Sequence, residues 1–429
     1  MNASGTGPLT NSVRPRIREI DYVKAFCILA MVIEHCYGTF YASFCDYSID
    51  VAEPAIFTIL NLCNILIGPS AFMFCMGFTV SVGKEHHANA CMTRGVSLFF
   101  MGLLLNYVRG TFARNVFFFS QDADLLCRQM IDVLGGDILL FAGLGFMLLG
   151  LLKKIKLNAW GIFIAAILLS AIGTLLRYTD TGEPVSNGIL GLFVGANSES
   201  YFPLFNWFIF IAAGNLFSFY YVKIKDIKKF YAIALPVSAV LGAVYLILAY
   251  NCVGPFQTMG EEEAFSYWLN PCDSIGCLLC IFTFVGVMWL LTELTAKLHI
   301  SRDPLLYIAK NLSVIYIMQD LLIFWFDIWM IQGLGLIQSA CSPLVVCCCG
   351  MILLLASVGL TELYKKYWRT AVQGFLKKRA VLFAVCVTVI IAFCCTLAVT
   401  HGVKEIPNFT NGYDVEDMGY ISYGSGAEE

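Results

Sequence analysis

Apolar residues along this chain gather into runs of about 20 positions almost free of charge, long enough to cross the ~30 Å hydrocarbon core as helices. Polar and charged residues collect between the runs. Backbone groups in lipid must find partners within their own segment, so the runs predict helices rather than open strands. Eleven spans follow: 20–42, 56–82, 95–113, 136–152, 158–177, 203–221, 230–250, 274–296, 305–327, 344–364 and 380–400. The fold class expected is all-α, a polytopic transmembrane helical bundle. Residues 1–19 form a cytoplasmic tail, 20–400 the transmembrane domain, and 401–429 an extracytoplasmic acidic tail expected to be disordered. The first run is long and has no small-residue cleavage site behind it, so it reads as a retained span.

Composition strengthens the pattern. Apolar residues make up 59% of the 429 positions and charged residues 13%, against roughly 45–50% and about 25% in soluble domains. A soluble protein is excluded. Neither an internal repeat nor a soluble catalytic domain is visible, so any chemistry must lie among the helices.

Charge adds orientation. Cytoplasmic loops carry the excess of Lys and Arg. Of the 27 such residues, all but Arg109, Arg114, Arg128, Arg177 and Lys404 fall on one set of alternate sides. That places the N-terminus inside and the C-terminus outside. The outer segments are expected at 114–135, which reads as an amphipathic interfacial piece, and at 178–202 and 251–273 as loops. Cys252 and Cys272 bracket the last, where either a disulfide or two thiols is chemically allowed. Most of the 18 cysteines sit in apolar runs as small hydrophobes. Cys277 and Cys280 form a CxxC without a second ligand pair, so no metal site is expected.

The first span, IDYVKAFCILAMVIEHCYGTF, carries the costly residues. Lys24 lies near its cytoplasmic end, and Glu34 and His35 lie deep in its outer half. Ionisable residues inside a span are functional candidates by default. Eleven residues are about three turns, so Lys24 and His35 share a face about 16 Å apart along the axis. A cation at the mouth with an imidazole three turns further in suits coenzyme A: phosphates at the cation, thioester carried inward. His35 is then placed as general base on an acceptor, or as the acyl carrier itself.

Depth along the other spans selects supporting residues. Asp320, on a span running the same way, reaches the height of His35 and is the better partner on geometry. Glu34 points about 100° away from the imidazole. Either carboxylate could orient the ring and stabilise the imidazolium. Asn106, Gln319 and Asp137 are candidate substrate contacts; each also has a plain structural use, as packing contact or as a helix cap. Arg94 could add to the CoA mouth. Gly77 and Gly102 suit close helix packing. Tyr201, Trp207, Trp268 and Trp325 suit interfacial belts or a sugar-stacking wall. His86, His87, His299 and His401 fall in loops.

The pattern Ile20-Asp21-x-x-Lys24-x10-His35 resembles membrane acyltransferases of the acyltransferase-3 type. It is also similar to proteins like heparan-alpha-glucosaminide N-acetyltransferase. GPSAFMFCMGF (68–78), RGVSLFFMGLLLNY (94–107), GGDILLFAGLGFMLLGLL (135–152), YFPLFNWFIFIAAG (201–214) and KNLSVIYIMQDLLIF (310–324) resemble later helices of such proteins. Lys24 stands where Arg is commoner, and Gln319 where His is often found. The resemblance implies that Lys24 and His35 serve acyl-CoA use. It further implies a multi-pass cell-membrane acyltransferase moving an acyl group, acetyl foremost, from cytoplasmic acyl-CoA (acetyl-CoA) to a cell-surface glycan or lipid-linked sugar. No nucleic-acid partner and no metal are expected. The alternative is a proton-coupled transporter using Glu34, His35 and Asp320 as a relay, which calls for inverted repeats and interrupted helices.

Overall fold

The computed structural model describes residues 16–36, 68–83, 87–112, 132–177, 179–195, 200–251, 253–256, 269–298, 303–327 and 343–400. His86, His299, His401, Trp268, Cys252, most of the expected 114–135 piece and the 401–429 tail lie outside them. Every regular element among the described residues is helical. The helices are α1 (Arg18–Cys36), α2 (Pro69–Val82), α3 (Ala88–Asn106), α4 (Ile138–Lys154), α5 (Ala159–Leu175), α6 (Pro184–Val194) and α7 (Leu204–Tyr221). They continue as α8 (Ile227–Tyr250), α9 (Pro271–Lys297), α10 (Pro304–Lys310), α11 (Leu312–Phe326), α12 (Pro343–Leu363) and α13 (Arg369–Thr400).

A helix occurs at each of the eleven expected spans. Among the described residues, six helices are long and apolar enough to cross a membrane, or seven if the bent pair α10–α11 counts as one span. The chain is therefore an integral membrane protein. Two expectations are corrected. Residues 178–202, expected as a loop, contain α6, which starts at Pro184 and ends at Gly195 in the left-handed region (φ 66°). The expected single span 305–327 is broken, its two parts meeting at 87°. The break falls at Asn311, whose side-chain amide donates to the Tyr307 carbonyl at 2.9 Å. Such a local bond offers the backbone an alternative to continuing the helix.

Short polar residues start several helices. Asp137, Asn158, Asp226, Asn270 and Asp303 each accept a backbone N–H from the first turn of α4, α5, α8, α9 and α10. Pro271 and Pro304 follow their caps at the first helical position.

Inside the bundle, α1 packs against α2, α9, α10, α11 and α12, and α7 against α2 and α5. Glycine sets the closest crossings. A Cβ at Gly77 of α2 would overlap the Ile211 carbonyl of α7, and one at Gly214 of α7 would overlap the Phe74 carbonyl of α2. Likewise a Cβ at Gly143 of α4 would lie 2.6 Å from the Phe99 nitrogen of α3, and one at Gly102 2.9 Å from the Leu140 nitrogen. Without a hydrophobic force between helices in lipid, this close van der Waals approach is what holds them. The outer helices show the reverse face: Leu175 of α5 is 83% exposed and Val381 of α13 79%, which suits side chains that meet acyl tails. Trp207 departs from its expected belt position; it is fully buried in the core, edge-on to Phe202.

Candidate active site

At the far end of α1 from its N-terminus, His35 stands between two carboxylates. Its Nδ1 lies 3.8 Å from Oδ1 of Asp320 on α11, and its Nε2 3.9 Å from Oε2 of Glu34. Glu34 thus reaches the ring even though its Cα–Cβ bond starts off to one side. Both separations exceed direct hydrogen-bond length, as catalytic contacts often do before substrate closes them. Asp320 is fully buried while the imidazole is 28% exposed. The inner carboxylate is therefore sealed in protein, and the ring keeps an open edge.

Asp320 is held from its other side. Its Oδ2 accepts from Nη1 of Arg109 at 3.0 Å. The same nitrogen lies 3.0 Å from Oδ2 of Asp137. Asp137 caps α4 through the Leu139 N–H and accepts a hydrogen bond from the Tyr316 hydroxyl at 2.7 Å. The guanidinium also lies over the Phe324 ring, 5.0 Å from its centroid. A line of neighbouring polar groups results, His35, Asp320, Arg109, Asp137 and Tyr316, with hydrogen bonds from Arg109 to Asp320 and from Tyr316 to Asp137.

Local structure delivers Arg109 to this place. Beyond Asn106, α3 opens into a π-helical turn, Tyr107–Phe112, a wide turn that re-aims the residues it carries. The Trp325 indole N–H donates to the Val108 carbonyl at 3.2 Å, satisfying an acceptor within that turn. Asn106 donates to the Val133 and Gly135 carbonyls at 3.2 and 3.1 Å, which fixes the short turn leading into Asp137.

The charge count set Arg109 on the outer side, near the end of the third expected span, and gave it no part in the site; the structure puts it inside the polar cluster. A signal was present, since Arg109 interrupts the apolar stretch three residues after Asn106. Tyr316 is the other participant that sequence reasoning passed over, although it precedes Asp320 by one helical turn.

The remaining candidates divide. Gln319 is fully buried beside Asp320, and among the described residues neither atom of its amide has a hydrogen-bond partner. Among the described residues, His35 Nδ1, Asn106 Oδ1, Asp137 Oδ2 and Asp320 Oδ1 are buried without a hydrogen-bond partner as well. Lys24 stands three turns away along α1, paired with Asp21 at 2.7 Å; Asp21 also pairs with Arg16. Arg94 lies over the Phe146 ring of α4, 5.3 Å from its centroid. The N-terminal end of α1 has a polar collar of its own, in which Tyr221 donates to Glu19 and Tyr22 to Asp303. Cys277 is buried against the Tyr245 hydroxyl at 3.6 Å.

Buried polar groups in a membrane are retained at a cost, and clusters of them mark sites. This cluster holds a proton acceptor, a carboxylate to orient it and a second carboxylate at its open edge, which is the equipment of proton or acyl transfer. The sequence model of the family described as heparan-alpha-glucosaminide N-acetyltransferase, catalytic, matches residues 16–255. That range covers α1 to α8 and includes His35, Arg109 and Asp137; Asp320 and Tyr316 lie beyond it. No curated protein and no solved structure matches the chain.

Proposed function

The chain belongs to the heparan-alpha-glucosaminide N-acetyltransferase catalytic family, and from that premise we propose that it moves an acetyl group from cytoplasmic acetyl-CoA to a glycan or lipid-linked sugar on the outer side of the cell membrane. Eleven crossings, with the N-terminus inside and the C-terminus outside, would carry the donor mouth and His35 at opposite depths of one helix. The first-helix likeness to acyltransferase-3 proteins is a pattern of a few residues and adds nothing to this premise.

In this reading Lys24 leaves Asp21 to grip a CoA phosphate, and Arg94 adds positive charge on the same side. The pantetheine arm runs along the α1 stripe and brings the thioester to His35. Asp320 accepts Nδ1–H, which leaves the lone pair on Nε2. As general base, Nε2 takes the proton of the acceptor amine or hydroxyl as its nitrogen or oxygen attacks the thioester carbonyl; the CoA thiolate departs and is protonated. As acyl carrier, Nε2 attacks the carbonyl first, and the acceptor then displaces the imidazole. Glu34, beside Nε2, attracts the acceptor's N–H or O–H donors. Asn106, Gln319 and Asp137 contribute acceptor and donor atoms for a polyhydroxylated guest.

The observation that carries the proposal is the imidazole set between Asp320 and Glu34, with His35 and Glu34 themselves inside the region matched by an acetyltransferase family. Among the described residues, both amide atoms of Gln319 and Oδ1 of Asn106 are buried without a hydrogen-bond partner, which suits a polar acceptor. The transporter alternative gains the broken span α10–α11 but not the family, and it is not favoured. The test is acetyl-CoA turnover by the purified chain against a panel of amino and hydroxyl sugars. Acetylated product is expected. Proton flux in proteoliposomes without acetyl-CoA, and no acetylated sugar, would replace the enzyme by a transporter.

A further inference from the structure

Arg109 has no task in the reaction just described, yet it is the best-connected charge in the cluster. It touches both Asp320 and Asp137 at 3.0 Å. These two carboxylate side chains are 0% and 4% exposed, so neither can turn to water for its counter-charge. Tyr316, Asp320 and Phe324 recur every four residues on α11 and make one stripe along that helix. All three meet the Arg109–Asp137 pair: Tyr316 through Asp137, Asp320 through the guanidinium, Phe324 through its ring face. One face of α11 is therefore fitted to one guanidinium and its second carboxylate.

The division of Asp320 is the telling detail. Arg109 takes Oδ2, and Oδ1 is left turned toward His35. One guanidinium nitrogen, Nη1, meets both carboxylates, donating to Asp320 and standing 3.0 Å from Asp137; the planar group holds that N–H in a set direction, whereas an ammonium carries the charge on a freely rotating head. We propose that Arg109 is a positioning residue for the transfer reaction: it locks the Asp320 carboxylate so that Oδ1 addresses His35, and Asp137 anchors Arg109 for that purpose. Without the guanidinium, two buried carboxylates face each other with no cation between them. Asp320 is then free to turn, and the imidazole loses its fixed partner.

This inference rests on His35 being the reacting group, and the experiment separates the two claims. Arg109→Gln, Arg109→Lys and the double variant Arg109→Gln/Asp137→Asn are made in the full chain and reconstituted in nanodiscs. Arg109→Gln is expected to lower kcat on the order of 100-fold, less than the ~10⁴-fold that loss of the orienting carboxylate itself costs such a pair, with KM for acetyl-CoA within about threefold. Arg109→Lys restores part of the rate. The double variant removes the like-charge conflict, so its melting temperature returns toward wild type while kcat stays low. A double variant that regains its rate together with its stability would reduce Arg109 to a structural role and overturn the proposal, as would an Arg109→Gln enzyme of undiminished kcat.

The second readout needs no turnover. The chain has five histidines, and the ring NMR signal of His35 can be assigned by its loss in His35→Gln. That signal is expected to shift between wild type and the folded double variant. An unchanged signal overturns the inference. Absence of any acetyl-CoA turnover would count against the proposed function instead, and the ring signal would then decide the role of Arg109 alone.

Discussion

Asp320 has two carboxylate oxygens with different neighbours: one meets a permanent cation, and the other faces the imidazole that changes charge in the proposed reaction. Arg109 supplies the permanent charge at 3.0 Å, and His35 stands 3.8 Å from the other oxygen. Asp320→Asn preserves volume and leaves Arg109 paired with Asp137, so the fold should survive. The amide has a single acceptor oxygen, which Arg109 takes, so an NH2 donor faces Nδ1 in place of an acceptor, and kcat is expected to fall about 10²- to 10⁴-fold. Turnover at saturating acetyl-CoA checks this, with the melting temperature as control for folding. A different signature belongs to Lys24. Its ammonium sits in the collar at the start of α1, far from the reacting atoms, so Lys24→Gln should raise KM for acetyl-CoA roughly tenfold, about 1.4 kcal/mol of binding, with kcat little changed. A fall in kcat at constant KM would remove Lys24 from CoA recognition. At this scale the sequence was partly legible. His35, Glu34 and Asp320 were found because charges inside apolar runs are conspicuous, and matching depth brought Asp320 to His35. Arg109 obeys the same rule but lies four residues from the expected end of a span, where a cation also has an innocent reading. Its place in the cluster depends on a π-helical turn that no periodicity announces.

Helices in lipid cannot rely on burying apolar surface against one another, so their contacts depend on how near their backbones can come. The α2–α7 and α3–α4 crossings are set by glycines that face main-chain atoms of the opposite helix. Gly214→Val should destabilise the fold by about 1–3 kcal/mol or more, since backbone is less able to yield than a side chain. Gly359, whose Cβ position has open space around it, serves as comparison, and Gly359→Ala should leave the melting temperature unchanged. Equal melting temperatures for the two variants would contradict this packing. The expectation that Gly77 and Gly102 permit close approach agrees with these contacts. Two elements were not legible. The 11 residues of α6 are too few to span and are bracketed by Gly, Ser and Asn, so they read as loop. The bend at Asn311 turns on a single side chain bonding the backbone of the preceding turn, inside a run apolar enough to read as one helix.

Across the whole molecule, polar groups sort into two levels along α1. A collar of Glu19, Asp21, Lys24, Tyr221 and Asp303 gathers at one end, and the His35 cluster at the other. An enzyme that takes its donor from one side of a membrane and its acceptor from the other needs such a separation. Eleven crossings would leave the two termini on opposite sides. In sealed vesicles of known orientation, an N-terminal tag should be protected from protease on the outer face and a C-terminal tag digested there. Both tags on one side would make the number of crossings even and break the alternation of Lys and Arg on which the orientation rests. The membrane class was legible from composition alone, because 59% apolar residues in long uncharged runs fit no soluble core.

The central claim is that one imidazole, braced by Asp320 at the end of α1, carries out acetyl transfer. The most direct measurement is the rate of acetyl transfer from acetyl-CoA to an amino-sugar acceptor by purified wild type and by His35→Ala, with melting curves of both. The account predicts product from wild type and none above background from a variant that melts within a few degrees of it. A well-folded His35→Ala protein that still transfers acetyl groups at the wild-type rate would contradict it.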